Sequence, residues 1–225
     1  MRIVDGRTGN AWTVTVAPFE ISATVVTVED WNEVMDQPLN ISPGGSLPVV
    51  EVSWREAIEF CNALSRRCGL TPAYTVEVVE VAEAIGWVPH DRPAPDDWVV
   101  AWNRGATGYR LPTEAEWQLA CRAGTTGPHY GPLETIAWFA DNSGMQRREV
   151  AGKTPNDWGL FDTIGGVWEW CWDLYDLEVY GPYRVIRGGG WADAAWSCRA
   201  GVRRKTQPTA RFEDLGFRLA RTIGG

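Results

Sequence analysis

The segment Val167–Asp173, VWEWCWD, restricts this chain more than any other stretch. Trp168, Trp170 and Trp172 recur at period two with Glu169, Cys171 and Asp173 between them, which is the spacing of a strand and not of a helix. Each indole can bury on the order of 150–250 Å² of mostly apolar surface, so the rings must face protein. A carboxylate taken into the same surroundings needs a partner, because an unpaired buried charge is costly or shifts its pKa. The strand is therefore expected to be covered on both sides, with its tryptophans serving as core and not as a sugar-stacking platform, and with Asp173 paired to an arginine.

Helices are signalled upstream by three side-chain pairs at a spacing of three residues. Ser53 with Glu56, and Thr113 with Glu116, read as S/T-x-x-E capping boxes, and Thr27 with Asp30 resembles one. Behind Ser53, the residues Ala57, Ile58, Cys61 and Leu64 form one apolar stripe that Gly69 ends; the helix behind Thr113 ends near Gly124. WTVTVAPFEISATVV, from Trp12 to Val26, alternates and is rich in β-branched residues, which predicts two short strands around Ala17–Pro18. From Tyr74 to Asn103 a β-like run passes through the proline-rich VPHDRPAPDD and returns as WVVAW, the pattern of a long hairpin or an inserted excursion. After Gly124 the chain shows glycine-punctuated fragments with aromatic anchors and no helix of any length. With 24 glycines, 14 prolines and 14 tryptophans, ordered irregular backbone pinned by large rings should outweigh regular structure. The expectation is one α+β domain over residues 1–225, helices early and irregular β-structure late.

Charge and cysteine content narrow the function classes. A formal net charge of −8 disfavours a general phosphate-binding surface, so nucleic acid is not an expected partner. No stretch reaches the roughly 18 apolar residues of a membrane span, and MRIVDGRTGNAW lacks the apolar core of a signal peptide. Cys61, Cys68, Cys121, Cys171 and Cys198 form no CxxC or zinc-like group, and their odd number leaves at least one free thiol. A cytoplasmic setting is favoured on these grounds over a surface or secreted one, which a single disulfide would still permit.

GYRLPTEAEW, GLFDTIGGVWEW, RVIRGGGW and LGFR, in that order, resemble the formylglycine-generating enzyme, or sulfatase-modifying-factor, family, and PVVEVSWREAIEFCNALS is similar to its N-terminal helix. The resemblance implies a variant of the C-type-lectin-like fold with two main helices, small mixed sheets and many structured loops. It also implies where a copper-dependent oxidase of the family would carry two cysteines. In RGGGWADAAWSCRAGVRRK, Asp193 stands at the first of those places and Ala195 near the second, leaving Cys198 alone. A soft cuprous ion in linear S–Cu–S coordination needs both thiolates, so copper is not expected. The related sulfoxide synthases use a histidine-based iron site, whereas this chain has only His90 and His129, far apart in sequence, so iron is not expected either.

Two sites follow from the resemblance. One calcium ion would be held by the loop that supplies Asp162, Gly165, Val167 and Glu169, since Ca²⁺ takes six to eight hard oxygens and a glycine-bearing turn can aim carbonyls inward. Gly166 replaces the asparagine usual before Val167, and Ile136 stands where a second calcium site would need a side-chain oxygen, so one ion is expected and not two. The other site is a ligand-facing surface formed by Trp191, Ala192, Asp193, Ala194, Trp196, Ser197, Gly201, Val202, Arg204, Lys205 and Thr206. Arg199, Arg203, Arg211 and Arg218 are expected to hold loops through carboxylates or carbonyls. Cys198 beside Arg199 could be a nucleophile, but buried filler is the expected role.

The function expected is a non-catalytic protein presenting the C-terminal surface to a protein, peptide or other ligand, a use known from the variable proteins of diversity-generating retroelements. The alternatives are a formylglycine-generating or sulfoxide-synthase-type oxidase with an altered metal site, and a recruited subunit or regulatory domain.

Overall fold

Local capping starts every long helix where the sequence signals it. In a computed structural model describing residues 2–4, 9, 11–36, 46–78 and 98–223, α1 (Val28–Val34), α2 (Trp54–Arg67) and α3 (Glu114–Arg122) each open on a reciprocal box, from Thr27, Ser53 and Thr113 respectively. Ser53 Oγ accepts from the Glu56 amide while Glu56 reaches back to the Ser53 N–H at 2.9 Å, which satisfies donors that the first turn would otherwise leave orphaned. α3 ends on Ala123 in the left-handed region, φ 42°, just ahead of Gly124. The remaining helical pieces, α4 (Leu133–Ile136), α5 (Ala140–Ser143) and α6 (Leu177–Tyr180), are single turns of four residues.

The strands are short. β1 (Arg2–Val4) pairs with β2 (Ala11–Thr13), and β4 (Tyr74–Val78) with β5 (Trp98–Trp102), both antiparallel. The second pair is the hairpin expected of Tyr74–Asn103; VPHDRPAPDD, with His90, lies outside the described residues. β3 (Phe19–Ile21), β6 (Tyr109–Arg110) and β11 (Ala220–Thr222) form a three-stranded sheet with β11 central. The central sheet joins β7 (Trp168–Leu174), β8 (Arg184–Arg187), β9 (Arg203–Thr206) and β10 (Leu215–Gly216) in the order β10-β7-β8-β9, with β10 parallel to β7 and the other pairs antiparallel. The two strands expected around Ala17–Pro18 are present as β2 and β3, in different sheets.

β7 carries the core on both faces. Trp168, Trp170 and Trp172 pack with α1 and α2 residues Trp31, Trp54, Ala57, Ile58 and Phe60, while Cys171 packs on the opposite side with Trp117, Cys121, Ile164, Val185 and Cys198. The indoles are also fastened by polar bonds: Trp54 Nε1 donates to the Cys171 carbonyl at 3.1 Å and Trp170 Nε1 to the Val52 carbonyl at 2.8 Å. Trp172 stacks on Tyr74 with ring centroids 5.0 Å apart. The period-two tryptophans are thus core, and the strand is covered twice over. Asp173 differs from expectation. Its Oδ2 accepts from the Glu114 amide at 2.6 Å instead of pairing with an arginine, because the first turn of α3 brings it an unsatisfied N–H. Among the described residues no helix is long and apolar enough to cross a membrane.

Candidate functional site

The glycine run before the C-terminal segment sets how close its surroundings can come. A Cβ on Gly189, φ 88°, would lie 2.9 Å from Cys198 Sγ, and one on Gly190 would lie 2.3 Å from Asp214 Oδ2. With no side chains there, Asp193 turns back over the run: its Oδ2 accepts from Trp168 Nε1 at 2.6 Å and from the Gly190 amide at 2.9 Å, and its Oδ1 lies 3.3 Å from Arg204 Nη2. Arg204 Nη2 also donates to Ser197 Oγ at 2.9 Å, and the guanidinium lies 4.7 Å from the Trp168 ring centre.

Around this knot lies a cavity of about 350 Å³, lined by Trp168, Ile186, Ala192, Asp193, Arg204, Lys205, Thr206, Phe212 and Asp214. Five of the residues expected at the ligand surface are therefore on one wall: Ala192, Asp193, Arg204, Lys205 and Thr206. Ala194 and Trp196 are exposed beside them, Trp196 at 58% with its ring 5.5 Å from the Arg204 guanidinium carbon. Trp191, Ser197 and Val202 are buried, Trp191 against Val25, Val50 and Val167. Gly201 lines a different hollow with Arg122 and Arg199. Trp168, Ile186, Phe212 and Asp214 also line the cavity, beyond the residues to which the sequence points. The aromatic and the acid of RFEDLGFR, just ahead of LGFR, were the available signal for the last two.

The four arginines hold loops as expected. Arg218 is bidentate to Glu169, at 2.6 and 2.7 Å, and reaches the carbonyls of Ser22, Ala23 and Phe161. Arg203 grips both oxygens of Glu114 at 2.8 and 2.9 Å; Arg199 Nε donates to the Trp196 carbonyl; Arg211 pairs with Glu56 at 2.8 Å. Cys198 is buried, and burial with the nearby Asp193 charge pushes its thiol up to about 12 against the opposing charge of Arg204, so it is not thiolate at neutral pH. Among the described residues all five cysteines are free thiols.

Of the residues that the resemblance assigns to a calcium ion, Asp162, Gly165 and Val167 lie in the bend that leads into β7, and Glu169 is on β7 itself. Asp162 (φ 54°), Gly165 (φ 73°) and Gly166 (φ 73°) are all left-handed, and a Cβ at Gly165 would sit 2.4 Å from the Trp138 carbonyl oxygen. Asp162 Oδ2 accepts from the Ala151 amide at 2.7 Å, while its buried Oδ1 has no hydrogen-bond partner among the described residues. Burial raises the Asp162 pKa, as an uncompensated carboxylate requires. That orphan oxygen fits a hard cation. The Glu169 end is already neutralised, since Arg218 engages both its oxygens and Trp117 Nε1 donates to Oε2 at 2.7 Å, so only its remaining lone pairs are open to an ion.

Two aspartates, Asp173 against the start of α3 and Asp214 in the cavity wall, keep their protons up to about 6: Asp173 through burial and then the Glu114 and Glu116 charges, and Asp214 through burial and then Asp193. An unfolded aspartate ionises near pH 4, so from about pH 4 to 6 the folded chain holds protons the unfolded chain has lost, and these groups' contribution to stability falls as pH rises. Asp214→Asn should therefore be more stable than the parent by about 1–2 kcal/mol at pH 7, the value being discounted for solvent screening, and equal to it by about pH 4. Urea denaturation across that range checks the difference, and a pH-independent gap would refute the assignment.

The fold and these motifs recur in known proteins. Treponema denticola variable protein 1 superimposes with a TM-score of 0.81 and 38% identity, covering 96% of this chain and 88% of that one. A chaperone protein LppX of Paenibacillus barcinonensis is 29% identical over 235 residues, covering 93% of this chain and 82% of that protein. The formylglycine-generating enzyme of Streptomyces coelicolor is 32% identical over 160 residues, but this chain spans only about half (51%) of its length. The family model of the sulfatase-modifying factor enzyme 1-like domain matches residues 4–223. With its α+β, C-type-lectin-like architecture and four ordered motifs, the chain belongs to the sulfatase-modifying factor enzyme 1-like domain family.

Proposed function

We propose that this protein is a non-catalytic recognition module that binds a protein, peptide or other ligand at the cavity and rim formed by its C-terminal segment. The observation that carries the reading is Asp193: where the resemblance expects a metal-binding thiol, a carboxylate ties Trp168, Gly190 and Arg204 into a fixed wall. A wall held by several mutual hydrogen bonds loses little ordering entropy on binding, which suits recognition. Likeness to a variable protein over nearly the whole chain supports the same reading, and is compatible with diversification of the segment.

Selection from a peptide library on the immobilised protein tests it. Binders should be lost when Trp196→Ala or Arg204→Ala is introduced and retained with Trp158→Ala, an exposed tryptophan outside the cavity lining. Stoichiometric cuprous or ferrous binding with oxygen consumption in the presence of a cysteine peptide would replace this reading with the oxidase alternative. A near-copy of the coding region for residues 187–218 beside a reverse-transcriptase gene, differing at adenines, would identify the diversified version.

The calcium ion belongs to the same proposal, as a structural support with Asp162, the Gly165 and Val167 carbonyls and Glu169 as its ligands. The orphan Asp162 Oδ1 supports it. Millimolar calcium should raise the melting temperature by several degrees over chelator in the parent protein and leave Asp162→Ala unchanged; an equal response in both would exclude this loop.

A further inference from the structure

We infer that the cavity beside Asp193 takes a cationic group, an alkylammonium or guanidinium, on the carboxylate of Asp214; the inference rests on the recognition reading and names the ligand chemistry of that site. The argument is one of charge accounting within the cavity wall. Two acids, Asp193 and Asp214, and two bases, Arg204 and Lys205, line it. Arg204 is committed to Asp193 and Ser197. Lys205 has its Nζ 3.9 Å from the Tyr180 ring centre, and Tyr180 is not part of the lining. Strand alternation explains the split: Arg203 and Lys205 share the face of β9 that meets Tyr175, while Arg204 faces Trp168.

Asp214 is left as the acid with no ion-pair partner among the described residues. It is half-buried against Gly190, whose missing side chain is what lets it in. Burial is the main reason its carboxyl holds a proton up to about 6; of the charged groups around it, Asp193 and Glu213 add to the effect and Arg204 opposes it. A charge kept at a cost to stability, in a hollow of about 350 Å³, is the arrangement that an incoming cation would relieve. The walls suit the rest of such a ligand. Phe212, 48% exposed, offers a ring face for the cation or its methylene stem, and Ile186 and Trp168 give apolar surface.

The test uses small probes on the intact chain: Nα-acetyl-lysine methylamide and n-butylammonium as cations, and the Nζ-acetylated lysine derivative as the uncharged control. Binding is read from the Trp168 indole N–H cross-peak, since that group donates to Asp193 on the same wall. Saturable binding of the charged probes, about tenfold or more weaker in Asp214→Asn and absent for the acetylated control, is the expected result. The lysine derivative binding more tightly than butylammonium would mark a peptide side chain as the source, and the reverse a free amine. Equal binding of charged and acetylated lysine, undiminished binding to Asp214→Asn, or no binding of any probe would overturn the inference. Library peptides that need Trp196 and Arg204 yet carry no basic residue would overturn it too, while leaving the recognition reading intact.

Discussion

Arg218→Met is expected to destabilise the protein by about 3–5 kcal/mol, lowering the melting temperature by on the order of 10 °C. Arg218 and Glu169 are both fully buried, and their two parallel hydrogen bonds, at 2.6 and 2.7 Å, neutralise each other where no water can. Removing the cation leaves Glu169 charged in the core and strips the Ser22, Ala23 and Phe161 carbonyls of their donor. The double variant Glu169→Gln/Arg218→Met should recover part of the loss, because the main cost is the stranded charge and not the missing attraction. Thermal and urea denaturation of the three variants measure this. A single-variant loss below about 1 kcal/mol would mean that something else neutralises Glu169, and would favour an ion in the Asp162 loop.

Glu114→Ala should cost a similar amount, about 3–5 kcal/mol, by a second route. Glu114 is buried at the start of α3 and accepts from Arg187 of β8 at 2.6 Å and from Arg203 of β9 at 2.8 and 2.9 Å. Arg187 keeps other acceptors in Gln118 and the Ala200 carbonyl, but its charge would lose its carboxylate. The consequence reaches the site, since β8 leads into the glycine run and β9 carries Arg204 and Lys205. Amide exchange in Arg203–Thr206 should accelerate more than exchange in α2. The exposed pair Arg221–Glu20, 3.5 Å apart, is the control, and breaking it should cost no more than about 0.5 kcal/mol. Equal losses for the buried and exposed pairs would show that the Glu114 network does not hold the two strands.

How much was legible in advance depended on the reach of each interaction along the chain. Thr27, Ser53 and Thr113 find their partners three residues away, so the starts of α1, α2 and α3 can be read directly. The period-two tryptophans of β7 are equally local, because pleating alone puts them on one face. Asp173 could be recognised as needing a partner, yet the partner is an amide 59 residues earlier, which no local pattern announces. Pairing of Arg218 with Glu169, 49 residues apart, was expected only as an arginine meeting some carboxylate or carbonyl.

The sequence by itself determined the α+β class, the helix starts, the tryptophan core and the single cysteine of the segment after β7, since these rest on residue type and short-range spacing, while four ordered motifs carried the family resemblance. Only the tertiary structure decided which residues share the cavity. Trp168 on β7, Asp193 after the glycine run, Arg204 on β9 and Asp214 before β10 converge because the sheet order β10-β7-β8-β9 folds distant segments side by side. The physical reason is that a charge acts over a few ångströms of space whatever the separation along the chain, so which acid is neutralised and which is left for a ligand is settled by packing.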